Sequence, residues 1–253
     1  LSGDRLSVDL YNMIMSLTES LVEDHKRAGD YESFKNECLR VLSISPTIDQ
    51  VTFTEGNEAT LIDTFQNQIL SSYKEKADKM KEMLLPLIQD VYKNEGHRYK
   101  RISLPFISAT RENPLPIAAE LEEAVNSDGD SIMKDIEKAV TLILIDENWK
   151  EHLRSMDELK DSVQSASFEQ KDPLVVYKME AYTAFEQLVY RINYDVISYL
   201  MGGKLLLAKP EDVKEAKASK TDFRKVRTNK DEKARRAAAA SAGGAQRSKP
   251  ETF

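Results

Sequence analysis

Cysteine occurs once in the 253 residues, at Cys38. One thiol can close no internal disulfide, so a reducing cytosol is the expected compartment. The same scarcity removes the paired thiols that metal and redox motifs need. Glycine (9) and proline (8) are few, which argues against an all-β fold with many tight turns. No apolar run reaches the roughly 18–20 residues of a membrane-spanning helix. The most apolar short block, residues 141–145, is closely flanked by charges. Glycine-rich phosphate loops of either common kind are missing, so no nucleotide cofactor is expected in this chain. The three histidines are His25, His97 and His152. Glu151 and His152 are neighbours in sequence and point to different helix faces, and the stretch Glu23–His25 is similar. They read as solvated or structural side chains; no metal site, general acid or general base is assigned.

What is present is an amphipathic, highly charged helical chain. Apolar residues make up 41%, enough for a core, and charged residues 31%. The net charge of −7 hides an asymmetry. From residue 204 onward there are 14 Lys/Arg against 7 Asp/Glu, a net of +7, which leaves residues 1–203 with 22 against 36, a net of −14. An acidic body with a basic tail can offer that tail to anionic lipid, to nucleic acid or to the body itself. Nucleic acid is disfavoured, because Phe223 is the only aromatic in the tail before Phe253 and stacking residues are wanting. A solvated linker with weak lipid contact is the favoured reading. The chain starts mid-pattern without methionine, which predicts a piece of a longer protein.

Leu6, Leu10, Met13, Leu17 and Leu21 fall on one helical stripe that Gly29 should stop. Asp30 is placed to cap a helix through Phe34 and Leu42. Residues 47–60 read as loop, with Asn57 as the next cap. A long helical pattern then runs to Asn94, and Pro86 should kink or divide it. Residues 99–119, with three prolines and alternating apolar residues, predict a small extended segment or two-stranded ribbon. A short helix follows, a pause at 126–130, and Asp130 as cap of a longer helix through Ile132, Ile136, Val140 and Ile145 to Trp149.

Trp149, Leu153, Met156, Leu159 and Val163 continue that helix at steps of three and four. Leu174, Tyr177, Ala181, Ala184, Leu188 and Ile192 repeat the spacing beyond a polar gap. Two helices joined by about ten residues fold back as an antiparallel pair. The second should run to Met201 and stop at Gly202-Gly203. Trp149 on such a face is usually a core anchor. Phe168 sits in the polar gap, either held out at the tip or folded back on its own hairpin. The fold expected is mainly α: a long antiparallel two-helix hairpin, a small helical domain with at most a minor β segment, and a disordered basic tail.

The order and spacing of Trp149, Glu151, His152, Leu153, Met156, Asp157 and Leu159, then Gln170, Asp172, Pro173, Tyr177, Lys178, Glu180 and Phe185, resemble the C-terminal region of SecA, the ATP-driven motor of bacterial preprotein translocation. The resemblance covers about 1–203 and is strongest at 141–190. It implies the end of a long scaffold helix (1–29), a helical wing (30–130), a two-helix finger (131–203) and a basic linker (204–253). It implies as partners the SecY channel complex, unfolded preprotein and the motor domains of the parent chain, with ATP and magnesium bound by the parent rather than by this fragment. It implies a cytoplasmic protein, peripheral on the inner membrane. Phe168 falls at the finger tip that contacts the translocating chain, and residues near Trp149 fall where the finger damps the motor's ATPase. Ser165, Ala166 and Ser167 stand where many relatives carry an arginine before the tip aromatic, and the cysteine-rich zinc motif that ends many relatives is missing. A helical accessory domain that binds nucleic acid through its tail is the alternative from another class; steep salt dependence of binding would mark it.

Overall fold

Gly29 and Asp30 make the first corner of the chain. Gly29 adopts φ +68°, which an unsubstituted Cα tolerates. The Asp30 carboxylate accepts the N–H of Ser33 at 3.0 Å and its hydroxyl at 2.6 Å. These hydrogen bonds hold its pKa below the usual carboxylate range. The helix before the corner is α1 (Val8–Ala28) and the one after it α2 (Tyr31–Leu42). The computed structural model describes residues 8–109, 113–163, 172–206 and 213–216. Phe168 and the basic segment from Lys217 onward lie outside the described residues.

The stretch expected to be loop contains a third helix, α3 (Gln50–Glu55). Asp49 caps it through the Thr52 N–H at 2.9 Å, and buried Phe53 stacks on Phe34 at 4.6 Å. Six residues are too few to show a hydrophobic period, but the Asp49–Thr52 spacing was a readable cap. Lys26 closes the far end, donating to the carbonyls of Phe53 at 2.9 Å and Gly56 at 2.7 Å.

The fourth helix, α4 (Glu58–Glu95), runs through Pro86 undivided. Proline removes the N–H that would reach the Glu82 carbonyl. Both residues are exposed, so the freed acceptor lies on the solvent side.

The two-stranded ribbon is there and is enlarged. Strand β1 (Arg101–Ile107) pairs antiparallel with β2 (Leu115–Glu120). Pro105 faces Pro116 in the register. The Pro105 carbonyl points away from β2, toward the Leu206 N–H at 2.9 Å, so this is a pair whose missing N–H groups cost the β1–β2 ladder nothing. Strands β3 (Lys204–Leu205) and β4 (Lys214–Glu215), from the stretch assigned to the tail, pair with the other edge of β1.

After α5 (Leu121–Asn126) the chain turns through Gly129 at φ +86° into α6 (Asp130–Ser162). Gly129, not Asp130, is the N-cap. Asp130 opens the helix and pairs with Lys81 at 2.9 Å. The last helix, α7 (Pro173–Gly202), starts with proline at its first position and Asp172 capping Leu174 at 2.9 Å. It ends at Gly203, as expected.

One continuous core joins these elements. Leu10, Leu17 and Leu21 of the α1 stripe are buried, and α1 packs on α4 and α7. The inner face of the sheet is Ile102, Leu104, Phe106, Leu115, Ile117 and Ala119, and β2 lies against α6.

Candidate functional site

Helix periodicity alone puts residues 144, 148 and 152 of α6 on one row. Leu144 and Asn148 are buried and His152 half-buried. Asn148 donates to the Leu144 carbonyl at 3.0 Å and to Asp195 on α7 at 2.9 Å. His152 meets the ring of Phe185 edge-on at 6.4 Å. As α6 numbers rise the contacted α7 numbers fall, so the two arms are antiparallel, as the spacing implied.

The seam lies about one residue from where the apolar pattern placed it. Trp149 is 44% exposed and Leu153 48%. Met156 and Tyr177 are half-buried, and Leu188 is buried. The core-anchor reading of Trp149 is therefore corrected. A one-residue step turns a helix by about 100°, and the row facing α7 carries Asn148 and His152, whose polarity hid it from a hydrophobic pattern.

The consequence is a half-exposed apolar face. Leu142, Ile145, Trp149 and Leu153 step along α6, and Phe185 and Val189 along α7, all exposed. His152 bridges the two rows, with its ring 5.6 Å from that of Trp149. A second exposed group, Leu174, Val175, Met179 and Tyr182, covers the start of α7, and Met179 is 68% exposed. The other flank of the seam is polar: Glu151, Ser155, Gln187 and Arg191 border a cleft of about 100 Å³.

Beyond Asn148 on α6, and before Leu188 on α7, no described residue is fully buried. The outer part of the hairpin thus stands clear of the core. The 14 residues of α6 after Asn148 span about 20 Å at 1.5 Å per residue. Exposed apolar patches of this kind on a projecting element mark contact with other molecules.

His25 and Cys38 are absorbed into packing, while His97 is exposed. His25 bonds the Leu21 carbonyl at 2.8 Å and meets Phe34 edge-on. Cys38 is fully buried, and burial pushes its thiol up to about 12. Among the described residues no group of three or more His, Cys, Asp or Glu could hold a metal ion. Nor, among them, is any helix long and apolar enough to cross a membrane. Neither Phe185 nor His152 stands out as a site residue in the sequence, where His152 reads as a solvated or structural side chain. The signal was spatial: once the arms are paired, His152 lies beside Trp149 and Phe185 beside His152.

Residues 1–204 match the family model described as the SecA wing and scaffold domain. Among curated proteins, the chain is 38% identical over 255 residues to the protein translocase subunit SecA of Christiangramia forsetii, covering 99% of this chain and 22% of that protein. It is 34% identical over 261 residues to the SecA subunit of Porphyromonas gingivalis, covering 97% and 23%. To that of Cytophaga hutchinsonii it is 36% identical over 232 residues, covering 92% and 21%. The chain thus spans about a fifth of the length of these relatives. No solved structure matches it.

Proposed function

The chain belongs to the SecA wing and scaffold family, and from that membership we propose that it is the contact and lever module of a protein-translocating ATPase. Its hairpin is the two-helix finger. The tip residue Phe168 touches the translocating polypeptide at the mouth of a SecY channel, and the face around Trp149 rests on the motor domains of the parent chain and restrains them. ATP and magnesium are bound in the motor, and this chain contributes no bond chemistry. The parent works on the cytoplasmic side of the inner membrane, with the basic segment near anionic headgroups.

The observation that carries this reading is the half-exposed Trp149–His152–Phe185 face on a hairpin that extends past the core. Two arms packed along their length resist bending, so movement at the base reaches the tip. A lone phenylalanine suits the tip because hydrophobic contact is non-directional. Burying one such ring gains roughly 1.5–3 kcal/mol, enough to engage many sequences and weak enough to release them.

The test places a photo-cross-linking residue at position 168, and separately at 149, in the full-length parent with a stalled secretory chain in the channel. Position 168 should label the secretory chain and the channel, and position 149 the motor domains. In the same protein, Trp149→Ala should raise basal ATPase several-fold. Labelling from neighbouring positions but never from 168, together with unchanged ATPase in Trp149→Ala, would sink the proposal.

A further inference from the structure

The last turn of a helix leaves carbonyls that no helical N–H can reach. In α7 that turn is Tyr199-Leu200-Met201-Gly202, and it carries no basic side chain of its own. The donor comes from another helix. Lys76, in the middle of α4, directs its ammonium to the carbonyl oxygens of Leu200, at 2.9 Å, and Met201. A cation at this point also meets the negative end of the helix dipole. Lys26 closes α3 by the same device. Burial draws the Lys76 pKa down to about 8, as expected of an ammonium withdrawn from water.

The same turn is held by the sheet. The Tyr199 hydroxyl donates to the Phe106 carbonyl of β1 at 3.2 Å inside the core, and the two rings lie 5.8 Å apart. Gly203 follows, so close to Phe106 that a Cβ there would sit 2.2 Å from Cζ. Two residues on, Leu205 is in register with Phe106. The end of α7 therefore has no free turn in which to swivel. Contacts from α4 to the first arm exist as well: Tyr73 donates to Glu137 at 2.8 Å, and Lys81 pairs with Asp130.

We infer that Lys76 is a coupling residue. By capping α7 from α4 it joins the second arm of the hairpin to α4, so that the two turn together and the orientation of α4 sets the direction of the hairpin. The inference rests on the geometry at the hairpin base and does not depend on what the tip touches.

The experiment uses the full 253-residue chain with spin labels at Lys93→Cys on α4 and Lys160→Cys on α6, both exposed positions. Cys38, buried with a raised thiol pKa, stays unlabelled. A narrow distance distribution is expected in the parent. Lys76→Met should broaden it and speed amide exchange across residues 198–206 by about tenfold. Tyr73→Phe should leave those amides unchanged. A folded Lys76→Met variant with parental width and exchange overturns the inference, and so does a Tyr73→Phe variant that behaves as Lys76→Met should. If Lys76→Met does not fold, the unlabelled parent decides by side-chain nitrogen NMR. Slow proton exchange at the Lys76 ammonium upholds the cap, and exchange as fast as at exposed lysines overturns it.

Discussion

Phe34 and Trp149 are both large aromatic residues on helices, and the structure gives them opposite duties. Phe34 is fully buried, stacked on Phe53 at 4.6 Å and edge-on to Phe65 at 5.2 Å. Phe34→Ala should cost about 3–5 kcal/mol through lost burial and the cavity left behind. Trp149→Ala should change stability by less than about 1 kcal/mol, because nearly half the side chain is already in water. Urea titrations of the two variants measure the contrast. Glu137 gives a third residue-scale prediction. Burial pushes its carboxyl pKa up, and the hydrogen bond from Tyr73 only partly offsets this. A carboxyl raised in the folded state favours folding fully below its unfolded pKa of about 4.3 and loses that contribution as pH rises through the folded value. Glu137→Gln keeps an acceptor for Tyr73 and removes the buried charge. It should be more stable than the parent at pH 7, by on the order of 1 kcal/mol, with the gap closing toward pH 4. A gap that is constant with pH would contradict the assignment.

Element by element, the chain shows which local rules yield to context. Pro86 lies within α4 and does not end it, because 38 residues of helix anchored by Leu61, Phe65, Ile69, Tyr73, Leu84 and Ile88 hold the backbone on both sides of it. The local penalty remains. Pro86→Ala restores a donor and removes a steric clash, so it should stabilise by about 1–3 kcal/mol, read as a higher urea midpoint at unchanged slope. The hairpin shows the converse. Its seam is built partly from Asn148, His152 and Asp195, so a purely apolar stripe misplaces the interface by about one residue. The polar seam is also tied across the two arms, where Asn148 donates to Asp195 at 2.9 Å.

For the molecule as a whole, the decisive feature is that α7 runs directly into the sheet. Gly203 is where the two meet. Gly203→Ala would drive a Cβ into Phe106 and to 2.6 Å from the Tyr199 carbonyl, and should cost about 1–3 kcal/mol or more. Gly202→Ala, whose Cβ would lie 3.0 Å from the Ser108 hydroxyl, should cost less; calorimetric melting of the pair checks the order. The helices around Leu17, Phe34 and Phe65, the ribbon at 101–120 and the paired arms were legible in the sequence, because periodicity, caps and glycine stops act over a few residues. The helix at 50–55 was too short to announce itself by period. The motif around Trp149 likewise pointed to the family, since a residue pattern survives without any knowledge of packing. Sequence did not determine which side of α6 faces α7, that residues 204–205 and 214–215 return to β1, or that Lys76 and the last turn of α7, 124 positions apart, share hydrogen bonds. Those depend on which surfaces meet. Burial and unsatisfied carbonyls are properties of the assembled chain, and only the tertiary structure brings the partners together.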